Sequence, residues 1–288
     1  MQNRRSPFFT SYYLILLFVL YFPLGILFLF SINDGTVFAF PIKGLTFHWY
    51  KDMFSNSELL QAAWSSLQVA MCSSAAATIL GTTAAIALLR FQFKGKAPFV
   101  ALALVPLLVP YIILGAALLI LFAGLRVERS LWTVIIAHTI VSLPFVLLVI
   151  MARMVGFDKH LEEAAADLGS TYGYTLRRVI LPLIAPAVLA AWLVAFTVSF
   201  DEFILASFLI GSKPTLPVYL LSQMRFANRF PQVIAMTVVV MLVSLSLVLF
   251  AQWLQRRGTP SAKPAPEGQI ARVPGFEDIS FHVDGSVQ

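Results

Sequence analysis

The stretch Leu161-Glu162-Glu163-Ala164-Ala165-Ala166-Asp167-Leu168-Gly169-Ser170-Thr171-Tyr172-Gly173-Tyr174-Thr175-Leu176-Arg177-Arg178-Val179-Ile180-Leu181-Pro182 decides how the rest of the chain is read. Alanines and leucines favour a short helix over residues 161–168, and Glu162 and Glu163 fall where the positive end of the helix dipole stabilises them. Gly169 stops that helix, because it takes the left-handed conformation of a sharp reversal without a Cβ penalty. A second short helix begins near Thr171 and carries Leu176, Val179 and Ile180. Pro182 suits the first turn of a longer helix, where a missing N–H costs nothing. The expected product is a helix–turn–helix knuckle with small and acidic residues on its surface. The helix pattern alone leaves two readings open, a docking element and an ordinary interfacial connector.

Apolar sequence lies on both sides of the knuckle. Residues 7–33, 59–89, 97–125, 130–152 and 230–255 contain no Asp, Glu, Lys or Arg, and residues 179–212 contain only Asp201 and Glu202. About 20 residues of helix cross a hydrocarbon core of about 30 Å. Six transmembrane helices are therefore expected, in an all-α membrane protein. The composition agrees, at 59% hydrophobic and 12% charged with mean hydropathy +0.85. A soluble chain is about 45–50% apolar and about 25% charged, since it must cover its own surface. A soluble enzyme, a nucleic-acid module and a disordered protein are excluded. The single cysteine, Cys72, leaves no intramolecular disulfide or cysteine-rich metal cluster.

The formal charge of +6 is distributed unevenly. Thirteen Lys and Arg residues fall on one side of the six spans, including Arg4, Arg5, Arg90, Arg153, Arg177 and Arg256, against seven on the other. The positive-inside rule puts both termini and the knuckle in the cytoplasm. The first apolar run is far longer than a signal-peptide core and is expected to stay as an anchor. Three segments are expected: a stub, first span and outer loop over 1–58; a five-helix core over 59–255 with its cytoplasmic loop at 153–182; and a Pro- and Gly-rich disordered tail over 256–288. Pro106, Pro110 and Pro144 are expected to kink their helices. The small residues Ser65, Ser66, Ala70, Ser73, Ser74, Ala77, Gly81 and Ala84 form a surface for close helix packing.

No nucleotide-binding P-loop occurs, no H-E-x-x-H and no nucleophile elbow, and the four histidines lie on different segments. The chain does not read as an enzyme, and energy for active transport would have to come from a partner.

The spacing Glu163-Ala164-Ala165, three residues, Gly169, nine residues, Val179, one residue, Leu181-Pro182 resembles the EAA signature of ABC-importer permeases, E-A-A-x3-G-x9-I-x-L-P, with Val179 in place of Ile. The resemblance covers about residues 59–253. It implies the type I importer permease fold and a coupling loop in which Glu163, Ala164, Ala165 and Gly169 dock on an ATPase. Val179, Leu181 and Pro182 would then form the exit into the fifth span. It further implies an ATPase dimer that binds the ATP, a second homologous permease subunit, a periplasmic solute-binding protein and surrounding membrane lipid. No cofactor in this chain and no nucleic acid are implied.

The run Phe196-Thr197-Val198-Ser199-Phe200-Asp201-Glu202-Phe203-Ile204 places two acids in the fifth span. Counted at 1.5 Å per residue from Pro182, Asp201 lies about 28 Å further on, in the outer part of the membrane unless the helix begins below the headgroups. One reading is a helix-end acid paired with Arg225 or Arg229. The other is a path for a cationic substrate formed by Asp201 and Glu202 with Trp192 and Phe196, whose rings offer cation–π surface. Adjacent positions point about 100° apart, so one acid is expected to face the path directly. With its Leu216-Pro217 sequence beyond, this segment looks like the spermidine/putrescine permease branch, which includes relatives for opines, phosphonates and other small solutes. The expectation is a polyamine importer working by alternating access. The rivals are the same machine for another solute, and a carrier or membrane scaffold independent of an ATPase.

Overall fold

The structure, a computed structural model, describes residues 7–35, 42, 44–155 and 160–258. The expected stub before residue 7, residues 156–159 of the loop and the tail from 259 onward lie outside the described residues.

The helices in chain order are α1 (Pro7–Ser31), α2 (His48–Ser55), α3 (Ser57–Arg90), α4 (Lys96–Leu108), α5 (Tyr111–Gly124), α6 (Leu131–Val155), α7 (His160–Asp167), α8 (Tyr172–Thr175), α9 (Leu181–Phe200), α10 (Ile204–Leu209), α11 (Leu216–Gln223) and α12 (Phe230–Gly258). A π turn, Leu176–Ile180, joins α8 to α9. An isolated antiparallel bridge, Asn33 to Leu45, is the one extended pairing among the described residues. Among the described residues five helical stretches are long and apolar enough to cross a membrane, and a sixth is added if α4 and α5 make one span.

Two of the expected spans are broken. The run over 97–125 bends by 109° between α4 and α5. Pro110 causes the break: its ring disfavours the helical conformation for the residue before it, and Val109 is accordingly extended at φ −84°, ψ 125°. Pro106 and Pro144, by contrast, sit inside α4 and α6 without ending them. The run over 179–212 is likewise interrupted, because α9 stops at Phe200 and α10 starts at Ile204. Asp201 and Glu202 therefore occupy a helix break and not a helix interior.

The core is organised around α3. Ser65, Ser66, Ala70, Ser73, Ser74, Ala77 and Gly81 are all buried, and α3 packs along α6 and α9. The approach of α3 to α6 is close enough that a Cβ on Gly81 would lie 2.7 Å from Val146 Cγ1. One apolar cluster, with Leu88, Leu147, Ile150, Met154, Ile180 and Ile184, fills the half of the bundle nearer the knuckle. A second, with Val69, Phe122, Val134, Leu205 and Leu209, fills the other half. The α1 helix lies on α12 and is exposed over most of residues 12–24.

Candidate functional site

The knuckle folds as local chemistry dictates. Gly169 has φ +81°, its N–H donates to Ala166 O at 2.8 Å, and the Ser170 N–H donates to Ala165 O at 3.0 Å. This is the paired closure of a helix ending on a left-handed glycine. Thr171 is extended, and the chain then runs helically from Tyr172 to Phe200. Within it the Leu181 N–H bonds Leu176 O, five residues back. The wide turn fits beside Pro182, which has no N–H to offer the ordinary ladder and whose ring crowds the carbonyl four residues earlier.

Glu163, Ala164 and Gly169 are exposed on the knuckle and Ala165 is half-buried. Val179 is half-buried, while Leu181 and Pro182 are exposed at the exit. Glu163 pairs with His160 at 3.1 Å, both on the surface. Leu168 is 89% exposed at the tip, a large apolar side chain that no described residue covers, and composition offers no reason to single it out. Glu162 turns the other way, into an ion pair with Arg90 at the end of α3.

The two acids of the fifth run separate. Asp201 is exposed, and its carboxylate accepts a hydrogen bond from Ser244 Oγ at 3.0 Å. Glu202 is buried, accepting from the backbone N–H of Leu205 at 3.0 Å and of Ala206 at 3.1 Å. Its carboxylate lies 3.2 Å from His138 Nε2. His138 Nδ1 in turn lies 2.8 Å from Ser199 Oγ, which accepts from Ser73 Oγ at 2.8 Å. A polar layer thus joins α3, α6, α9 and α10. Such an acid is tolerated in an apolar core because N–H donors and an imidazole surround it. Nothing in the local pattern signals that His138 and Glu202 meet, since 64 positions separate them and the histidine has no companion in its own span.

The height of the acids in the bundle depends on where the helix leading to them begins. Ser73 stands midway along α3 and Ser244 midway along α12, so Ser199 and Asp201 lie at half-height of the bundle. The helix that ends at Asp201 starts well below that level, in the knuckle itself. Pairing of Asp201 with an arginine is also replaced: Asp201 bonds Ser244, while Arg229 bonds Gln223 and stands 4.0 Å from Glu58. Trp192, Phe196 and Phe200 form a stripe along α9 leading to Asp201, with ring centroids 5.9 and 5.7 Å apart in succession. Phe196 is buried and Trp192 half-buried. Among the described residues no three of His, Cys, Asp and Glu converge as a metal site.

A multi-helix membrane bundle whose fifth run descends from an EAA knuckle is a transport component, and residues 77–259 match the family of binding-protein-dependent transport system inner membrane components. The chain belongs to that family. It is 37% identical over 257 residues to the spermidine/putrescine transport system permease protein PotC of Escherichia coli strain K12, covering 88% of this chain and 95% of that protein. It is 34% identical over 260 residues to the putrescine transport system permease protein PotI of the same organism, covering 86% and 90%. The fold is similar to a chain of a bacterial ABC transporter involved in the import of the acidic polysaccharide alginate, with TM-score 0.65, 15% identity and coverage of 88% and 96%.

Proposed function

We propose that this chain is the membrane-spanning permease subunit of an ATP-driven importer that carries polyamines of the putrescine and spermidine class. The observation that carries the reading is Asp201, a carboxylate exposed at half-height of an apolar bundle. A charged acid at that depth costs about 2.5–3.5 kcal/mol on insertion scales, so it faces a water-filled path or a cation. A polyamine ammonium supplies the cation, and the names of the PotC and PotI relatives support that cargo. Asp201 meets the cargo, Trp192 and Phe196 flank its approach with ring faces, and Glu202 shapes the break that presents Asp201.

In this reading the knuckle and both termini are cytoplasmic. An ATPase dimer grips the knuckle through Glu163, Ala164, Ala165, Gly169 and the exposed Leu168, and Val179, Leu181 and Pro182 carry the displacement into α9. A second homologous permease completes the pathway across the exposed face of Asp201, and a periplasmic solute-binding protein delivers cargo from outside. Residues 59–255 form the permease core, with 1–58 and 256–288 as additions at either end. ATP is bound and hydrolysed by the partner. This chain's part is to expose one cation site alternately to the two sides.

The test is uptake of labelled putrescine and spermidine by cells that depend on this system, with Asp201→Asn alongside. Saturable uptake lost in the variant supports the reading. An assembled complex that hydrolyses ATP without moving either polyamine removes the cargo assignment and leaves an importer of another small solute.

A further inference from the structure

We infer that Arg90 and Glu162 form a latch that ties the coupling knuckle to α3, so that α3 as well as α9 receives the ATPase-driven motion. The inference rests on the coupling reading above and adds a positioning pair to it. Arg90 is the last residue of α3, where the negative end of the helix dipole favours a cation. Glu162 sits in the first turn of α7, where the positive end favours an anion. The two side chains form a salt bridge while only 9% and 19% exposed. An ion pair this sheltered is screened little by salt, unlike the exposed His160–Glu163 pair one residue away. Beside it the Phe91 ring meets the Tyr172 ring edge-on, with centroids 5.3 Å apart. The knuckle is thus held to the end of α3 by a charge contact from α7 and a ring contact from α8.

Neighbouring acids at 162 and 163 divide the work because consecutive helical positions point about 100° apart. Glu163 is left outward for a partner and Glu162 is directed inward to Arg90. The consequence follows from what α3 touches along its length. At half-height Ser73 donates to Ser199 of α9. Higher up, Ser66 Oγ accepts the Leu216 N–H at the start of α11, at 2.8 Å. At its far end Asn56, the cap of α3, reaches Tyr219 of α11 and Gln232 of α12. A displacement of the knuckle delivered to Arg90 is carried by one continuous 34-residue helix to the polar layer and to the opposite end of the bundle.

The experiment uses the whole importer, with its ATPase and second permease, reconstituted in proteoliposomes. Arg90→Glu, Glu162→Arg and the combined exchange are compared for ATPase copurification, ATP hydrolysis and the KM and Vmax of putrescine uptake. Each single change is expected to keep copurification and KM while lowering Vmax by about tenfold, the scale of an ordinary coupling free energy. The exchange is expected to restore Vmax to within about threefold of the original, since the opposite charges meet again. Single variants that transport at the original Vmax overturn the latch, and so does an exchange no better than its parents. Where the reversals prevent assembly, Arg90→Gln and Glu162→Gln keep side-chain bulk, and an unchanged Vmax in both overturns the latch. Glu163→Lys separates the two proposals. If it leaves copurification and transport intact, the coupling reading itself falls, whatever Arg90 shows.

Discussion

His138 Nε2 lies 3.2 Å from a carboxylate oxygen of Glu202, and both side chains are sealed within the bundle, 1% and 4% exposed. The contact fixes α6 to the break between α9 and α10, which is the break that turns Asp201 outward. The same carboxylate caps the first turn of α10 through two N–H groups. One buried acid thereby sets the position of an exposed one.

Removing one member of this pair leaves the other with one polar contact fewer in an apolar core. His138→Leu is expected to lower stability by about 1–3 kcal/mol, the scale of leaving a buried polar group short of its partner. The check is thermal unfolding of the detergent-purified complex. His138→Gln, which can still donate towards Glu202, is expected to recover most of the loss.

The two acids are expected to fail differently. Asp201→Asn keeps the fold, because Ser244 can still donate to the remaining carbonyl oxygen, and abolishes polyamine uptake. Glu202→Leu leaves two backbone N–H groups without their carboxylate acceptor and removes the His138 contact, so thermal stability falls together with uptake. Equal thermal profiles for the two variants would contradict this division.

Gly169→Ala is expected to cost about 1–2 kcal/mol locally, since φ +81° is strained for any residue with a Cβ. No heavy atom outside the chain neighbours lies within 4 Å of the added methyl, so the cost is conformational and not steric. It should appear as weaker copurification of the ATPase. Leu168→Asp should weaken copurification as well, with thermal stability unchanged, because its side chain is almost wholly exposed in this chain.

Gly81→Leu is expected to destabilise the bundle by about 1–3 kcal/mol through overpacking against Val146. Gly81→Ala combined with Val146→Ala should recover part of that loss, measured by the same thermal unfolding. Recovery would locate the effect in the α3–α6 contact and not in the helix propensity of glycine.

Composition and local pattern were sufficient for much of the architecture. Charge-free runs long enough to span a bilayer foretold α1, α3, α6 and α12 to within a few residues, because hydrophobic thickness is a property of the segment itself. The knuckle was legible for the same reason: Gly169, the alanines before it and Pro182 act within one or two turns of themselves. The small-residue face of α3 announced close packing, and burial of that face against α6 and α9 bears it out.

The remaining features depend on residues far apart in the chain. A count along one helix put Asp201 near the outer surface unless the helix begins lower, and the structure starts that helix in the knuckle. Only Ser73 on α3 and Ser244 on α12 set its height. Which acid turns inward was decided by His138 on α6, and which knuckle glutamate turns inward by Arg90 on α3. Spans, caps and turns are short-range consequences of backbone chemistry, so the residues within a turn or two of each are enough to specify them. The pairing of buried polar side chains depends on which helices become neighbours, and that is set by how the whole bundle packs.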